Sequence, residues 1–562
     1  MNANHPKSQS LLRVDGVQLS IHGSPILSDI SFELEAGKTL GIIGESGSGK
    51  SMTALSIMQL LPRGSTLTGS IHFADQNLLN VSEESLCELR GSDIGMIFQE
   101  PMTALNPVKT IGNQVSESIR LHRSVSRAQA DALTAATLER VGLPNDEFPL
   151  TRFPHELSGG QRQRVVIAIA VACQPKLLIA DEPTTALDVT TQAGILELLK
   201  TLQRDEGLAL LLITHDLAVV SMMADDVLVM NSGKIVEKGN LRTVFGQPSH
   251  DYTKMLFEAS ALTQITRQSS VQQRSESKLI DANANADSTS TIAGHANESA
   301  KPLLRVKQLI CEYPMARKGL FKPAITFRAV DDVSFDIFHG ESVGLVGESG
   351  CGKSTLTRAL LGLMPVHSGT IDLLGESVST KNIVSRAARQ QLQVVFQDPY
   401  GSFNPRHKVR RLVAEPLHLL DVSPTADELM DRVSRVLESV GMSAGDSDKY
   451  IHEFSGGQRQ RIAIARALIV KPKLIILDEA VSALDVSVRA QVLALLDELA
   501  SQQGIAYLFI SHDLSVVQRV SDRVLVMQDG KVVERGETNS VFTSPQQPYT
   551  QQLIAAAPKL QL

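Results

Sequence analysis

Two α/β domains in tandem, each a parallel sheet carrying a phosphate-binding loop, are predicted from three observations. Ordered motif blocks recur along the 562-residue chain at near-constant spacing, each repeat alternates short apolar strands with helical stretches, and a polar segment poor in aromatic residues separates the repeats. The block GESGSGKS (Gly44 to Ser51) returns as GESGCGKS (Gly347 to Ser354), with Lys50 and Lys353 303 residues apart. LSGGQRQR from Leu157 returns as FSGGQRQR from Phe454, DEPTTALD from Asp181 as DEAVSALD from Asp478, and THD from Thr214 as SHD from Ser511, each 297 residues on. The change in offset falls between the lysine and the SGGQ block, where a loop absorbs it. The chain is an internal duplication, with domains predicted over residues 1–258 and 303–562.

In the first repeat LGIIG (Leu40 to Gly44) reads as a buried strand running into a Gly-rich turn, and SMTALSIMQLL as the helix that follows. LLIAD and LLLITHD read as two further buried strands, so the sheet is parallel and covered on both faces. From about Asn106 to Phe153 the period is helical without a strong strand, which predicts a helical subdomain inserted into the sheet domain. The second repeat does the same from about Asn404 to Tyr450. Residues 259–302, including DANANADSTSTIAGHANESAKP, hold too little apolar surface to fold and read as a flexible linker. A coil of about 40 residues reaches roughly 35 Å, enough to let two domains face each other.

Composition narrows the function. Hydrophobic residues at 43% and charged residues at 20% suit a chain that buries substantial cores. The net charge of −7 advertises no polyanionic partner, and no nucleic acid is expected. Cys87, Cys173, Cys311 and Cys351 form no CxxC pair, which argues against zinc and for a reducing compartment. The N-terminus shows no apolar h-region, and no run approaches the roughly 18 apolar residues of a membrane span, so any membrane role is expected to come through partners.

Gly44, Gly47, Gly49, Lys50 and Ser51 satisfy the G-x-x-x-x-G-K-S loop, in which backbone N–H groups and a helix N-terminus cradle phosphate. Lys50 then neutralises the β- and γ-phosphates of ATP and Ser51 is placed to ligate Mg²⁺. The same roles fall on Gly347, Gly350, Gly352, Lys353 and Ser354, and the loop positions Ser46 and Ser349 join the nucleotide-binding set. Asp181 and Asp478 each close an apolar strand, placed to reach the metal, and Glu182 and Glu479 beside them are placed to orient water as base. A single Gly-rich turn or DE pair would be weak evidence; two copies in the same order are not.

With these residues the SGGQ blocks resemble the signature of ATP-binding cassette (ABC) ATPases, and the likeness covers nearly the whole chain outside the linker. The resemblance implies, in each repeat, a phosphate-loop sheet core with an inserted helical subdomain and a small antiparallel β region. It further implies a head-to-tail pair of cassettes within the chain, with Ser455, Gly457 and Gln458 closing over nucleotide on Lys50, and Ser158, Gly160 and Gln161 over that on Lys353. Gln99 and Gln397 resemble the glutamines that touch Mg²⁺ where a cassette meets its membrane partner. His215 and His512 resemble the switch histidines that hold γ-phosphate and catalytic glutamate together, and Asp188 and Asp485 the aspartates of the dimer interface. Tyr313 sits where the family stacks an aromatic ring on adenine. The first repeat reads SIHG there, leaving His22 as a doubtful substitute. Ala480 replaces Pro183, and Val171 stands where the second repeat keeps Arg466. Cys351, at a helix N-terminus, is expected to have a lowered thiol pKa, so that alkylation inhibits the second site and ATP protects it.

Two physiological classes of cassette pair lack their own spans: import ATPases docked on permeases, and translation factors on ribosomes. QPSHDYTKML (Gln247 to Leu256) and SPQQPYTQQLI (Ser544 to Ile554) resemble the end segment of dipeptide and oligopeptide importer ATPases. The linker lacks the charged heptads of a ribosome-reaching hairpin. Excision-repair cassettes need zinc cysteines that this chain lacks, and no cysteine follows Cys351 to build the iron–sulfur segment of many peptide importers. The chain thus resembles the fused two-cassette ATPases serving glutathione and microcin C-type peptide importers. That implies two integral-membrane permeases and an extracytoplasmic solute-binding protein as partners, at the cytoplasmic face of a bacterial inner membrane. A ribosomal factor, or the same engine for a nickel chelate or opine, is the alternative.

Overall fold

The computed structural model describes residues 10–99, 104–185, 187–264, 301–315, 326–378, 385–398, 401–422, 424–482 and 484–560. Residues 265–300 of the predicted linker lie outside them. The chain divides into two compact units, Met1–Ser260 with Asp485–Ser487 and Ala557–Leu562, and Ala261–Leu484 with Val488–Ala556.

The first unit contains two sheets. β1 (Ser10–Ile21), β2 (Ser24–Glu35), β4 (Ser65–Phe73) and β5 (Gln76–Asn77) form an antiparallel sheet in the order β2-β1-β4-β5. β3 (Thr39–Ile43), β6 (Ile94–Ile97), β7 (Leu177–Asp181), β8 (Ala209–Ile213), β9 (Asp226–Asn231) and β10 (Lys234–Asn240) form the core sheet in the order β10-β9-β3-β8-β7-β6. All its pairings are parallel except β9 with β10. Every residue of β3, β7 and β8 is buried, as continuous apolar runs covered on both faces must be. The pleat divides them. Leu178, Ala180, Leu210 and Leu212 join a core with the helices, whereas Leu177, Ile179, Leu211 and Ile213 join one with β1, β2 and β4.

The inserted helices run Ile111–His122 and Arg127–Arg140. Thr110 caps the first, and Ser126 closes a reciprocal cap with Gln129 on the second. Ile111, Val115, Ile119 and Leu138 bring them onto the helix Gly159–Val171.

The second unit repeats the plan with β11 (Leu304–Pro314), β12 (Thr326–Ile337), β14 (Ser368–Leu373) and β15 (Glu376–Ser377) in the order β12-β11-β14-β15. β13 (Ser342–Val346), β16 (Leu392–Val395), β17 (Leu474–Asp478), β18 (Ala506–Ile510), β19 (Arg523–Gln528) and β20 (Lys531–Glu537) make the core sheet, ordered β16-β17-β18-β13-β19-β20. Its first inserted helix is shorter, Val409–Ala414 followed by a 3₁₀ turn Glu415–Leu419, because Pro416 cannot continue the α-helical ladder. The second inserted helix spans Ala426–Ser439.

Two sequence assignments shift. The signature helices pair Gly159–Val171 with Gly456–Leu468, so Ile169, not Val171, stands at the position of Arg466. Arg466 is half-buried over the Phe403 ring, 4.6 Å from its centroid, and donates to the Ser402 carbonyl at 3.0 Å. The bulged register also matches Leu19–Leu27 with Cys311–Val330, which puts Ile21 rather than His22 at the place of Tyr313. His22 instead lies against Gly64, its N–H donating to that carbonyl at 3.0 Å.

Candidate active sites at the carboxyl ends of the sheets

Both sites form where loops leave the carboxyl ends of β3 and β13, each flanked by strands whose chain order reverses across it. Gly44 takes φ +152°, and a Cβ there would stand 2.3 Å from the Met230 carbonyl oxygen; Gly347 takes φ +154°, with the Met527 carbonyl 2.2 Å away. Only glycine lets the loop turn this close to the neighbouring strand. Lys50 starts the helix Lys50–Ile57 and is buried, its ammonium donating to the Gly44 and Glu45 carbonyls at 2.8 Å each. Lys353 does the same with Gly347 and Glu348, at 2.7 and 2.8 Å. Burial pushes the Lys50 pKa down against the pull of Glu182 and Asp181.

At the end of β7 the predicted Gln99 and His215 converge on Glu182, joined by Thr185. Glu182 accepts from Gln99 Nε2 at 2.9 Å and from Thr185 Oγ1 at 2.9 Å, and its other oxygen lies 3.2 Å from His215 Nδ1. Asp181, one residue earlier, accepts from Ser51 Oγ at 3.1 Å. In the second unit His512 Nδ1 lies 3.4 Å from Glu479 Oε1. Gln397 follows β16 as Gln99 follows β6, and Ser354 follows Lys353 in the helix Lys353–Leu360. Glu182 and Glu479 both take φ 50°, a backbone conformation that costs a non-glycine residue about 1–3 kcal/mol and collects at functional sites.

The adjacent carboxylates are driven apart. Burial raises Asp181 to about 6, against the hydrogen bond from Ser51 and with Glu182 pushing the same way; Asp478 is likewise raised to about 6 by burial and by Glu479. Burial would raise Glu182 too, but its contacts with His215 and Thr185 outweigh it and bring the group to about 2. Glu479 is lowered, with His512 overcoming burial.

A stability effect follows with a definite sign. The native state holds the Asp181 proton between the ordinary value of 3.8 and about 6, so the burial penalty develops as pH rises through that window and is complete above it. Without nucleotide, Asp181→Asn is expected to stabilise the first unit by about 2 kcal/mol at pH 8, a rise of about 5 °C in its midpoint. The gain should vanish near pH 4. Differential scanning calorimetry at the two pH values checks this, and a midpoint at pH 8 unchanged or lower rejects burial as the source.

The signature residues cap their own helices. Ser158 Oγ accepts from the Gln161 N–H at 3.3 Å while Gln161 Oε1 accepts from the Ser158 N–H at 2.9 Å; Ser455 and Gln458 repeat the arrangement at 3.4 and 3.1 Å. A Cβ on Gly160 would meet Thr191 Cγ2 at 2.2 Å, and one on Gly457 Val488 Cγ1 at 2.2 Å. Tyr313 lies near the end of β11, 37% exposed, with its hydroxyl 3.4 Å from Thr355 Oγ1.

Cys351 departs from expectation. It is buried and burial raises its thiol pKa, although Lys353 Nζ stands 3.8 Å away. Native protein treated with iodoacetamide should therefore label at exposed Cys87 first and at Cys351 only on unfolding. Peptide mapping by mass spectrometry measures this; Cys351 labelled at the rate of Cys87 restores the reactive thiol.

Residues missed from the sequence are Tyr252 and Tyr549. The Glu45 N–H donates to the Tyr252 hydroxyl at 3.1 Å, and the Glu348 N–H to that of Tyr549 at 3.0 Å. Each tyrosine belongs to a C-terminal helix of its repeat, Asp251–Gln264 or Pro548–Ala556. A carboxylate of the last strand holds the approach to that helix. Glu237 accepts from the Ser249 and His250 N–H groups at 2.8 and 3.1 Å, and Glu534 from those of Gln546 and Gln547 at 2.8 and 3.1 Å. The end segment thus braces the residue after the first glycine of each phosphate loop. Its likeness between repeats, Tyr-Thr after a polar run, was the signal available in the sequence.

A phosphate loop, a strand-terminal Asp-Glu pair, a histidine on the glutamate and a capped SGGQ helix together define an ATP-binding cassette, present twice. The ABC transporter family model matches residues 27–185 and 330–482, and this chain belongs to that family, with two ATPase cassettes. The model of the oligopeptide/dipeptide transporter C-terminal region matches residues 533–561. Over 564 residues the chain is 46% identical to the glutathione import ATP-binding protein GsiA of Salmonella typhimurium, covering 98% of this chain and 90% of the relative. GsiA of Escherichia coli strain K12 is 46% identical over 538 residues, covering 94% and 86%. The solved structure of cbiO1 from Clostridium perfringens, part of the ABC transporter complex cbiONQ, aligns with 43% of this chain and 91% of its own at 29% identity and TM-score 0.38.

Proposed function

We propose that the chain is the ATP-hydrolysing subunit of an importer for small peptides or peptide-like solutes such as glutathione. The single observation that carries the enzymatic part is the convergence of Gln99, Thr185 and His215 on Glu182 beside a phosphate loop. The import part is supported by the 46% identity to a glutathione import ATP-binding protein across 98% of the chain, and by the C-terminal region matched at 533–561.

Glu182 and Glu479 accept the proton of the attacking water, and His215 and His512 hold those carboxylates in position. Lys50 and Lys353, with the loop N–H groups, take the β- and γ-phosphates. Tyr313 offers its ring to adenine in the second cassette. Ser51, Asp181 and Gln99, and Ser354, Asp478 and Gln397, would hold Mg²⁺. A buried carboxylate raised to about 6, with a serine hydroxyl 3.1 Å away in the first cassette, suits a divalent cation. Bound there, Mg²⁺ neutralises phosphate charge. Following the family pattern, Ser455 and Gly457 complete the site at Lys50 and Ser158 and Gly160 the one at Lys353. ATP would then favour closure of the pair and hydrolysis its release.

Among the described residues no helix is long and apolar enough to cross a membrane. We assign the translocation path to two integral-membrane permeases, fed by an extracytoplasmic solute-binding protein, with this chain peripheral on the cytoplasmic side of the inner membrane. The test is affinity purification of the tagged chain from gently solubilised membranes with ATP and vanadate, read by mass spectrometry. Two multi-spanning permeases are expected. Ribosomal proteins without permeases would replace the importer by a translation factor.

A further inference from the structure

The two cassettes differ at one place that the nucleotide chemistry does not use. In the second unit a cavity of about 560 Å³ opens between the inserted helix Ala426–Ser439, the end of the signature helix Gly456–Leu468 and the end of the helix Val486–Gln503. Its size lies within the range of small-ligand sites. Arg432, Arg435 and Lys471 line it together with Ser439, Gln503 and Gln390, and no acidic side chain is among the described residues lining it.

The first unit shows what normally fills this place. Its helices align Val141-Gly142-Leu143 with Val440-Gly441-Met442, and Glu206-Gly207 with Gln503-Gly504, so Arg140 corresponds to Ser439 and Glu206 to Gln503. Arg140 pairs with Glu206 at 2.8 Å and donates to the Val171 carbonyl at the end of the signature helix at 3.2 Å. The second unit has lost both ends of that ion pair to shorter or neutral side chains. It also carries a cation at three aligned positions that are neutral in the first unit, where Arg123 donates to Gln174 Oε1 at 3.1 Å. By the same alignment Arg432 replaces Leu133, which packs on the helical core, Arg435 replaces Ala136, and Lys471 replaces Gln174. Arg435 forms an ion pair with Asp431 on its own helix, which offsets one of the three charges.

A plug of matched charge has thus been exchanged for an open volume of excess positive charge. Guanidinium groups recognise carboxylate and phosphate by paired, charge-assisted hydrogen bonds, and the buried Leu468, Ile469 and Val470 supply an apolar floor. We propose that this cavity is a binding site for a small organic ligand carrying two or more carboxylate or phosphate groups. A ligand there touches the inserted helix Ala426–Ser439 and the helix Val486–Gln503 of the sheet domain at once, and so ties the two parts of the second cassette together. The first cassette, plugged by Arg140 and Glu206, does not bind it.

The test uses the full chain with both phosphate loops saturated with ADP. Isothermal titration is run with reduced glutathione as the carboxylate probe and inorganic pyrophosphate as the phosphate probe, on wild type and two double variants. Ser439→Arg with Gln503→Glu rebuilds the plug of the first cassette; Arg432→Gln with Lys471→Gln removes charge and leaves the volume open. Wild type should bind one probe per chain, and each double variant should lose at least tenfold in affinity while its basal ATPase stays at the wild-type rate, which certifies the fold. Heat from glutathione alone identifies a carboxylate ligand, and from pyrophosphate alone a phosphate ligand. Absence of binding by either probe, or equal binding in the rebuilt-plug variant, overturns the site.

Discussion

Replacing Glu182 and Glu479 together by glutamine lowers ATP turnover by about 10²–10⁴-fold, the contribution of a positioned base, and leaves ATP binding intact. Each single replacement leaves an intermediate rate, because both cassettes keep a glutamate and a histidine in contact, at 3.2 Å in the first and 3.4 Å in the second. Glutamine preserves size and still accepts from Thr185 and Gln99, so only the proton acceptor is lost. Burial works against the charge of Glu182, yet the groups around it bring its pKa to about 2, which leaves it ionised throughout the physiological range. Steady-state phosphate release from the two single variants and the double variant measures the effect. Complete loss from one single variant with none from the other would mean that only one cassette hydrolyses.

Removing the loop lysine acts on binding instead. Lys50→Ala and Lys353→Ala each lower ATP affinity at the altered loop by about 10²–10⁴-fold, since two hydrogen bonds to charged phosphate oxygens contribute about 1.5–3 kcal/mol apiece. The apo fold is not expected to suffer. Burial disfavours the Lys50 ammonium, and its hydrogen bonds go to two backbone carbonyls of the loop. A titration with a fluorescent ATP analogue, paired with a thermal melt, separates loss of binding from loss of structure. A double variant that binds ATP as tightly as wild type would remove the lysines from the phosphate site.

Bracing of the phosphate loop is open to a milder test. Tyr252→Phe with Tyr549→Phe deletes two hydroxyls that accept from the Glu45 and Glu348 N–H groups. Each loss should be of about 1 kcal/mol, seen as a several-fold rise in the KM for ATP without a matching fall in kcat. No change in either constant would leave the C-terminal helices without a role at the loop.

What the sequence determined by itself was whatever is written in short, local patterns. Glycine at the turn of the loop, lysine and serine at a helix start, and acid at the end of an apolar strand are each set within a few residues, and each recurs in both repeats. The inserted helices were legible for the same reason, through their period. Tertiary structure alone decided three things. Tyr252 and Tyr549 reach loops 207 and 201 residues away in the chain, a distance no periodicity spans. Cys351 is raised rather than lowered because burial outweighs the nearby lysine. The cavity beside Ser439 and Gln503 appears only when three helix ends are brought together, for a void is a property of what surrounds it and not of any one segment.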